Sequence, residues 1–154
     1  MTTFHVLVAT DLTDHSLALL KSAEDVRIQT VTPTLQNIRA GLNEAHAVIA
    51  RDDVQIDKPL LEAAPCLRVV GRVGAGLGGI DIETATNRGI VVMNTPGANA
   101  IAAGEHTLAL MLALSRKLVA AHNNLRDGYW LLDRKRQAGT QLHGKTLGLI
   151  GLGR

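Results

Sequence analysis

Short apolar runs, most of them continuous rather than alternating, constrain the fold of this sequence more than any other feature. Five of them occupy residues 4–9, 26–31, 47–50, 67–71 and 90–93. Strands that are apolar on both faces are typical of a parallel sheet covered by helices, because a sheet with one wet face shows polar alternation instead. The runs therefore predict five strands of one parallel α/β sheet.

Helix signals fill the gaps between these runs. They predict helices over 16–21, from Thr34 to about Gly41, over 56–63 and over 81–87. Asp11, Thr13 and Asp14 are the candidate caps of the first of these helices. The resulting βαβαβαβαβ order predicts a doubly wound domain over residues 1–95.

Two roles are possible for the three polar residues before the first predicted helix, Asp11, Asp14 and His15: binding a metal or capping the helix. Their close spacing favours the cap, because a side-chain oxygen before a helix accepts one of its unpaired amide hydrogens. We therefore assign no metal ligand in this sequence.

A Pro-Gly pair at residues 96–97 interrupts the strand rhythm, since neither residue continues a central strand. We place a domain boundary there, with a second segment over 96–154. This segment is predicted to contain one long helix over 101–122, apolar on more than one face, and a final strand over 146–150. Trp130 is expected to be a packing anchor rather than a ligand contact.

Composition excludes several classes of protein. Aromatic residues make up 2% of the chain and the net charge is +2, so neither stacking platforms nor a broad basic face for nucleic acid is expected, and the basic residues at 134–136 are interpreted as a solvated loop. The single cysteine, Cys66, excludes an intrachain disulfide and is expected to be buried at a strand entry. No apolar run approaches the roughly 20 residues of a membrane helix, and no signal segment opens the chain, so a cytoplasmic location is expected.

Two glycine-rich turns are candidate phosphate or carboxylate sites. Residues 74–79 satisfy G-x-G-x-x-G, but the next strand ends near Asn94 rather than at the acidic residue that holds a ribose. Converging amides in this turn suit a carboxylate instead. The second turn, at residues 151–154, follows the run over 146–150 and matches only the first half of a dinucleotide motif.

Four co-linear segments together resemble the D-isomer-specific 2-hydroxyacid dehydrogenases, and within them the branch that acts on 3-phosphoglycerate. The segments are LRVVGRVGAGLGGID (67–81), GIVVMNTP (89–96), AGEHTLALMLALSRK (103–117) and GKTLGLIGLGR (144–154). The resemblance runs in order over essentially the whole chain, which makes it far more specific than either glycine turn.

The resemblance implies a flavodoxin-like substrate domain, followed after the Asn-Thr-Pro hinge by the first helix and strand of a Rossmann domain. The chain would then be the N-terminal portion of a longer NAD-dependent oxidoreductase of serine biosynthesis, which moves a hydride between C2 of a D-2-hydroxy acid and nicotinamide. The catalytic Arg, Glu and His of the family would lie beyond residue 154. No catalytic residue is therefore assigned, and the chain is expected to be inactive alone. Glu105 and His106 cannot replace them, because helix neighbours point to different faces.

The resemblance also assigns binding residues. Arg51, Gly74, Ala75 and Gly76 would bind a small anionic 2-hydroxy or 2-oxo acid, and Ala75 with Gly151, Gly153 and Arg154 would contact NAD.

Alternative interpretations stay open for these residues and for the chain. The alternative for Arg51 is a surface arginine without a binding role, and the alternative for Gly74 to Gly76 is an ordinary tight turn. Family members usually carry Asp-Asn at residues 78–79, which are both glycine here, so a more flexible loop is expected.

The helix over 101–122 would build a homodimer. The alternative function is a non-catalytic anion-binding or dimerisation module.

Overall fold

The computed structural model describes residues 3–129 and 136–154. These residues form two compact units, one ending at Ala98 and the other beginning at Asn99. The first unit holds a five-stranded sheet of order β2-β1-β3-β4-β5 in which every pairing is parallel. The strands are β1 Phe4–Ala9, β2 Val26–Thr30, β3 Ala47–Ala50, β4 Val69–Arg72 and β5 Val91–Asn94. The predicted parallel α/β sheet is confirmed.

Four helices connect these strands: α1 Asp14–Lys21, α2 Leu35–Leu42, α3 Lys58–Glu62 and α4 Ile82–Asn87. Each begins after a side chain that accepts a hydrogen bond from an amide of the first turn. The capping residues are Thr13, Thr34, Asp57 and Asp81. Thr13, rather than a neighbouring aspartate, caps α1. In the part of the chain that the structure describes, no group of three metal-ligating side chains comes together.

The core lies between the sheet and the helices that connect its strands. Leu7, Val48 and Val70 sit side by side in register on neighbouring strands, and each is at most 1% exposed. Leu42 of α2 and Leu61 of α3 are buried in the same cluster. Burying one such side chain fully contributes about 1.5–3 kcal/mol, so this layer is the main stabilising element of the unit.

Cys66 departs from the sequence prediction, since it is exposed rather than buried. It lies in the turn between α3 and β4, and Leu67, the next residue, is the one that enters the core at 5% exposure. The apolar run that leads into β4 therefore begins one residue after the thiol.

Two helices, α5 Ala100–Ser115 and α6 Leu118–Arg126, occupy the start of the second unit. The prediction of one continuous helix over 101–122 is wrong. Lys117 adopts a left-handed conformation with φ +52°, which an α-helix cannot accommodate. The carbonyl of Ser115 accepts a hydrogen bond of 2.7 Å from the amide of Thr140, so a distant backbone group satisfies it at the break.

Residues 146–150 are irregular and exposed, so the predicted final strand is also wrong. A strand exists only where a neighbouring strand completes its hydrogen bonds. Within the described residues no strand pairs with this segment, although its composition suits one. Trp130 and the basic residues Arg134 and Lys135 lie outside the described residues.

Among residues 3–129 and 136–154, the structure contains no helix with the length and apolar character needed to cross a bilayer.

Candidate functional site

Two loops leave the carboxyl ends of neighbouring strands in the first unit. Ala50, the last residue of β3, stands opposite Arg72, the last residue of β4. We call residues 51–54, which follow β3, the arginine loop, and residues 74–79, which follow β4, the glycine loop. Because the carboxyl ends of parallel strands share one edge of the sheet, both predicted parts of the anion site meet there.

The arginine loop is a tight turn, closed by a 3.2 Å hydrogen bond from the Val54 amide to the Arg51 carbonyl. Val54 is buried and anchors the turn, whereas Arg51 is exposed. The guanidinium is thus available at the sheet edge. It borders a cleft of about 240 Å³, which is lined by Thr10, Asp11, Pro33, Arg51, Asp52 and Asp53. The cleft therefore combines one cation with three carboxylates.

The glycine loop is hydrogen-bonded to Asn94, the last residue of β5, and to Thr95, which follows it. The Gly74 amide donates to Thr95 Oγ1 at 3.0 Å, the Thr95 amide donates to the Gly74 carbonyl at 3.0 Å, and Asn94 Nδ2 donates to the Ala75 carbonyl at 2.9 Å. Within the described residues, the exposed amides of Ala75 and Gly76 have no hydrogen-bond partner. Two consecutive donors are therefore free to bind an anion, whereas the Gly74 amide is occupied.

Gly79 shows why the second half of this loop contains glycine. Its φ is +78°, in the left-handed region, and a Cβ atom there would lie 2.8 Å from Gln55 Oε1. Its carbonyl accepts a 2.7 Å hydrogen bond from the Ile56 amide. The left-handed φ is the feature that favours glycine at residue 79, because the exposed Gln55 side chain can move away from a Cβ atom.

Arg72 lies between the two loops, and the sequence analysis did not single it out. It is 1% exposed and donates to the carbonyls of Arg51, Val54 and Gly78. Burial lowers the pKa of Arg72, and the nearby carboxylates of Asp52 and Asp53 oppose that shift. A signal was present, because residues two apart in a strand share a face and Arg72 follows the buried Val70.

The remaining predicted residues lie in the second unit. Gly151 and Gly153 have left-handed φ values of +84° and +40°, and both are exposed together with Arg154. Such glycines allow a backbone turn to approach a phosphate closely. Glu105 and His106 are exposed on α5.

The donors of the two loops are chemically suited to an anion. The amides of Ala75 and Gly76 and the exposed Arg51 guanidinium can donate hydrogen bonds to a carboxylate or a phosphate, and the arginine loop also carries the carboxylates of Asp52 and Asp53. The shared edge of β3 and β4 places these donors on adjacent loops.

Comparison with protein families gives one match across most of the chain. The model described as D-isomer specific 2-hydroxyacid dehydrogenase, catalytic domain, matches residues 6–141. A D-3-phosphoglycerate dehydrogenase of Archaeoglobus fulgidus is 39% identical over 150 residues, which cover 97% of this chain and 28% of that relative. The chain thus spans little more than a quarter of the length of that relative.

Two solved structures share the fold. The TT0316 protein of Thermus thermophilus is 28% identical with a TM-score of 0.81, covering 92% of this chain and 46% of its own. The NAD+-bound 3-phosphoglycerate dehydrogenase of Entamoeba histolytica is 26% identical with a TM-score of 0.66, covering 75% of this chain and 40% of its own.

Proposed function

Because the chain belongs to the family of D-isomer specific 2-hydroxyacid dehydrogenases, we propose that it supplies part of the substrate site of an NAD-dependent oxidoreductase. The substrate is a small anionic D-2-hydroxy acid of the 3-phosphoglycerate type, as the names of the similar relatives suggest. The observation that carries the proposal is the pair of free amides at Ala75 and Gly76, on the loop adjacent to Arg51.

Within this site each group has a distinct role. The amides of Ala75 and Gly76 hold the substrate carboxylate, and the Arg51 guanidinium pairs with the second anionic group. When bound, NAD supplies the hydride acceptor. Neither loop carries a histidine, the residue that most often takes the hydroxyl proton in such reactions. The chain alone is therefore proposed to be inactive.

The residues proposed for NAD fit only part of its pyrophosphate. Gly151 and Gly153 permit close backbone approach, but a pyrophosphate site also draws on the amides of a helix N-terminus. Within the described residues, no helix begins beside these glycines. We propose weak NAD binding by this chain.

The single cysteine, exposed and unpaired, supports a reducing compartment such as the cytoplasm.

Titration of the 15N-labelled chain with 3-phosphoglycerate tests the anion site. The amide signals of Ala75 and Gly76 should shift with a common dissociation constant. Arg51→Gln should raise this constant about tenfold, as expected for the loss of a charge-assisted hydrogen bond. Arg27→Gln is the matched control, because Arg27 is an exposed arginine near the amino end of β2. Equal affinity in both variants, or no shift at Ala75 and Gly76, would refute the site.

A second candidate function is dimerisation through α5 and α6. Neither helix has a buried residue, and large apolar side chains on both are more than half exposed, among them Leu108, Leu112, Leu114 and Val119. A groove of about 340 Å³ follows the break between the helices, with an almost wholly apolar lining. Exposed apolar surface of this extent is typical of an interface between proteins, and we propose a second copy of the chain as the occupant.

Sedimentation velocity distinguishes the two functions. The chain should sediment as a dimer, and Leu108→Glu with Leu112→Glu should convert it to a monomer. Leu19→Glu is the matched control, since Leu19 is an exposed leucine of α1. A concentration-independent monomer in the unsubstituted chain would exclude dimerisation and leave the anion site untouched.

A further inference from the structure

Arg72 is the only charged side chain buried among the described residues of the protein. It stands at the end of β4 with 1% exposure, and no carboxylate of the described residues lies within ion-pair distance of its guanidinium. Burying a charge without a partner is unfavourable, so such a residue persists only where its hydrogen bonds compensate. These bonds define what Arg72 does.

The guanidinium of Arg72 donates its hydrogen bonds to backbone carbonyls of the two loops. Nη1 donates to Arg51 and, at 3.2 Å, to Val54, whereas Nη2 donates to Gly78 at 3.4 Å. Nε is buried without a partner. One planar guanidinium thus spans the arginine loop with one nitrogen and the glycine loop with the other.

A second connection joins the same segments further along the chain. The Ile56 amide donates to the Gly79 carbonyl at 2.7 Å, and the Asp81 amide donates to the Ile56 carbonyl at 3.0 Å. These bonds fix the segments beyond residue 55. The turn that carries Arg51 precedes this bridge, and Arg72 connects that turn to the glycine loop.

We propose that Arg72 is a positioning residue that fixes the arginine loop against the glycine loop. This inference rests on the proposed anion site, whose two halves these loops carry. The Arg51 carbonyl is held by the Arg72 guanidinium, so the backbone from which the Arg51 side chain extends keeps a constant place relative to the amides of Ala75 and Gly76. The carboxylates of Asp52 and Asp53 act as longer-range countercharges to Arg72.

Two substitutions remove this connection in different ways. Arg72→Met keeps most of the buried volume and donates nothing, whereas Arg72→Lys keeps the charge but offers a point donor that cannot span both loops. Arg88→Met is the matched control, because Arg88 Nη2 also donates to a backbone carbonyl, that of Ala64 at 3.0 Å, away from both loops.

Hydrogen exchange of the unliganded chain tests the loop connection without any ligand. The Val54 amide, bonded to Arg51, should exchange about tenfold faster in both Arg72 variants, the factor expected for one lost hydrogen bond. Amides of β1 should change much less, and Arg88→Met should leave Val54 unaffected. An unchanged rate at Val54, equal acceleration at Val54 and in β1, or failure of both variants to fold would each overturn the proposal.

Titration with 3-phosphoglycerate then links the connection to the anion site. Dissociation constants should rise about tenfold in both Arg72 variants, with Arg88→Met unchanged. If Val54 responds but the unsubstituted chain binds no 3-phosphoglycerate, the anion site is refuted and the loop connection stands. If binding occurs and the Arg72 variants bind as tightly, the positioning role is refuted alone.

Discussion

Thr95 and Gly74 form a reciprocal pair: the Gly74 amide donates to Thr95 Oγ1 at 3.0 Å, and the Thr95 amide donates to the Gly74 carbonyl at 3.0 Å. The pair fixes the first residue of the glycine loop to the chain that leaves β5. The amides of Ala75 and Gly76, which follow, have no hydrogen-bond partner among the described residues.

Thr95→Val removes the hydroxyl and keeps the shape of the side chain. The hydroxyl accepts from the Gly74 amide at 3.0 Å and donates to the Gly74 carbonyl at 3.3 Å, and losing both bonds should lower the free energy of unfolding by at least about 0.5–1.5 kcal/mol. Exchange at Gly74 should accelerate, as measured by NMR. Thr95→Ser retains the hydroxyl and is the matched control, which should behave as the unsubstituted chain. Slow exchange at Gly74 in the valine variant would show that the main-chain bond alone holds the loop.

Asp81 makes stability depend on acid. Hydrogen bonds from the amide of Thr84 and, to a smaller extent, from its hydroxyl hold the pKa of the Asp81 carboxyl below its usual range. The positive charge of Lys58 lowers this pKa further. A lowered folded pKa contributes stability that is present above the unfolded pKa and lost as pH falls through the folded value. Acidification below about pH 4 should therefore destabilise the protein partly through this group.

Asp81→Asn tests this assignment by thermal unfolding at several pH values. Asparagine caps helices about as well as aspartate, so the melting temperature near neutral pH should change little, and its decrease on acidification should become shallower. Asp81→Ala, which removes cap and charge together, should lower the melting temperature already at neutral pH. An unchanged acid dependence in the asparagine variant would assign it to other carboxyls.

The close contact between Gly41 and Leu7 limits the size of residue 41. A Cβ atom there would lie 2.5 Å from Leu7 Cδ1, and Leu7 is 1% exposed. Gly41→Ala should cost a net ~1 kcal/mol, since overpacking outweighs the gain in helix propensity. Combining it with Leu7→Val, which shortens the side chain, should cost less than the sum of the two changes, as measured in urea. Gly104→Ala, a helical glycine with open space around it, is the control and should not destabilise. Strict additivity would contradict the contact.

The regular part of the fold could be predicted because its signals are local. All five strands lie within two residues of the apolar runs, since a buried parallel strand needs an apolar sequence whatever its neighbours are. The elements after residue 98 could not be predicted as well. Lys117 ends the predicted long helix, and the Ser115 carbonyl at that point accepts a hydrogen bond from the amide of Thr140, 25 residues later. A periodic pattern of apolar residues contains no information about such a long-range contact.

The candidate site likewise contains features that could be predicted from the sequence and features that could not. The glycine loop could be located from its place after a predicted strand, whereas Arg51 was assigned by the family resemblance. The role of Arg72 could not be predicted, because its partners are backbone carbonyls, which have no signature in the sequence. The occupied amide of Gly74 was likewise hidden, because it depends on how Thr95 packs against the loop.

Gly139 tests the break between α5 and α6. A Cβ atom at this residue would lie 2.6 Å from the Ser115 carbonyl oxygen and 2.8 Å from Arg116 Cα, which are backbone atoms that cannot rotate away. Gly139→Ala should therefore destabilise the second unit by about 1–3 kcal/mol and speed exchange at Thr140, whose amide bonds to Ser115. Gly148→Ala is the matched control in the same unit, with open space around it. Slow exchange at Thr140 in Gly139→Ala would show that the backbone absorbs the methyl group, and that the hydrogen bond to Ser115 does not depend on glycine.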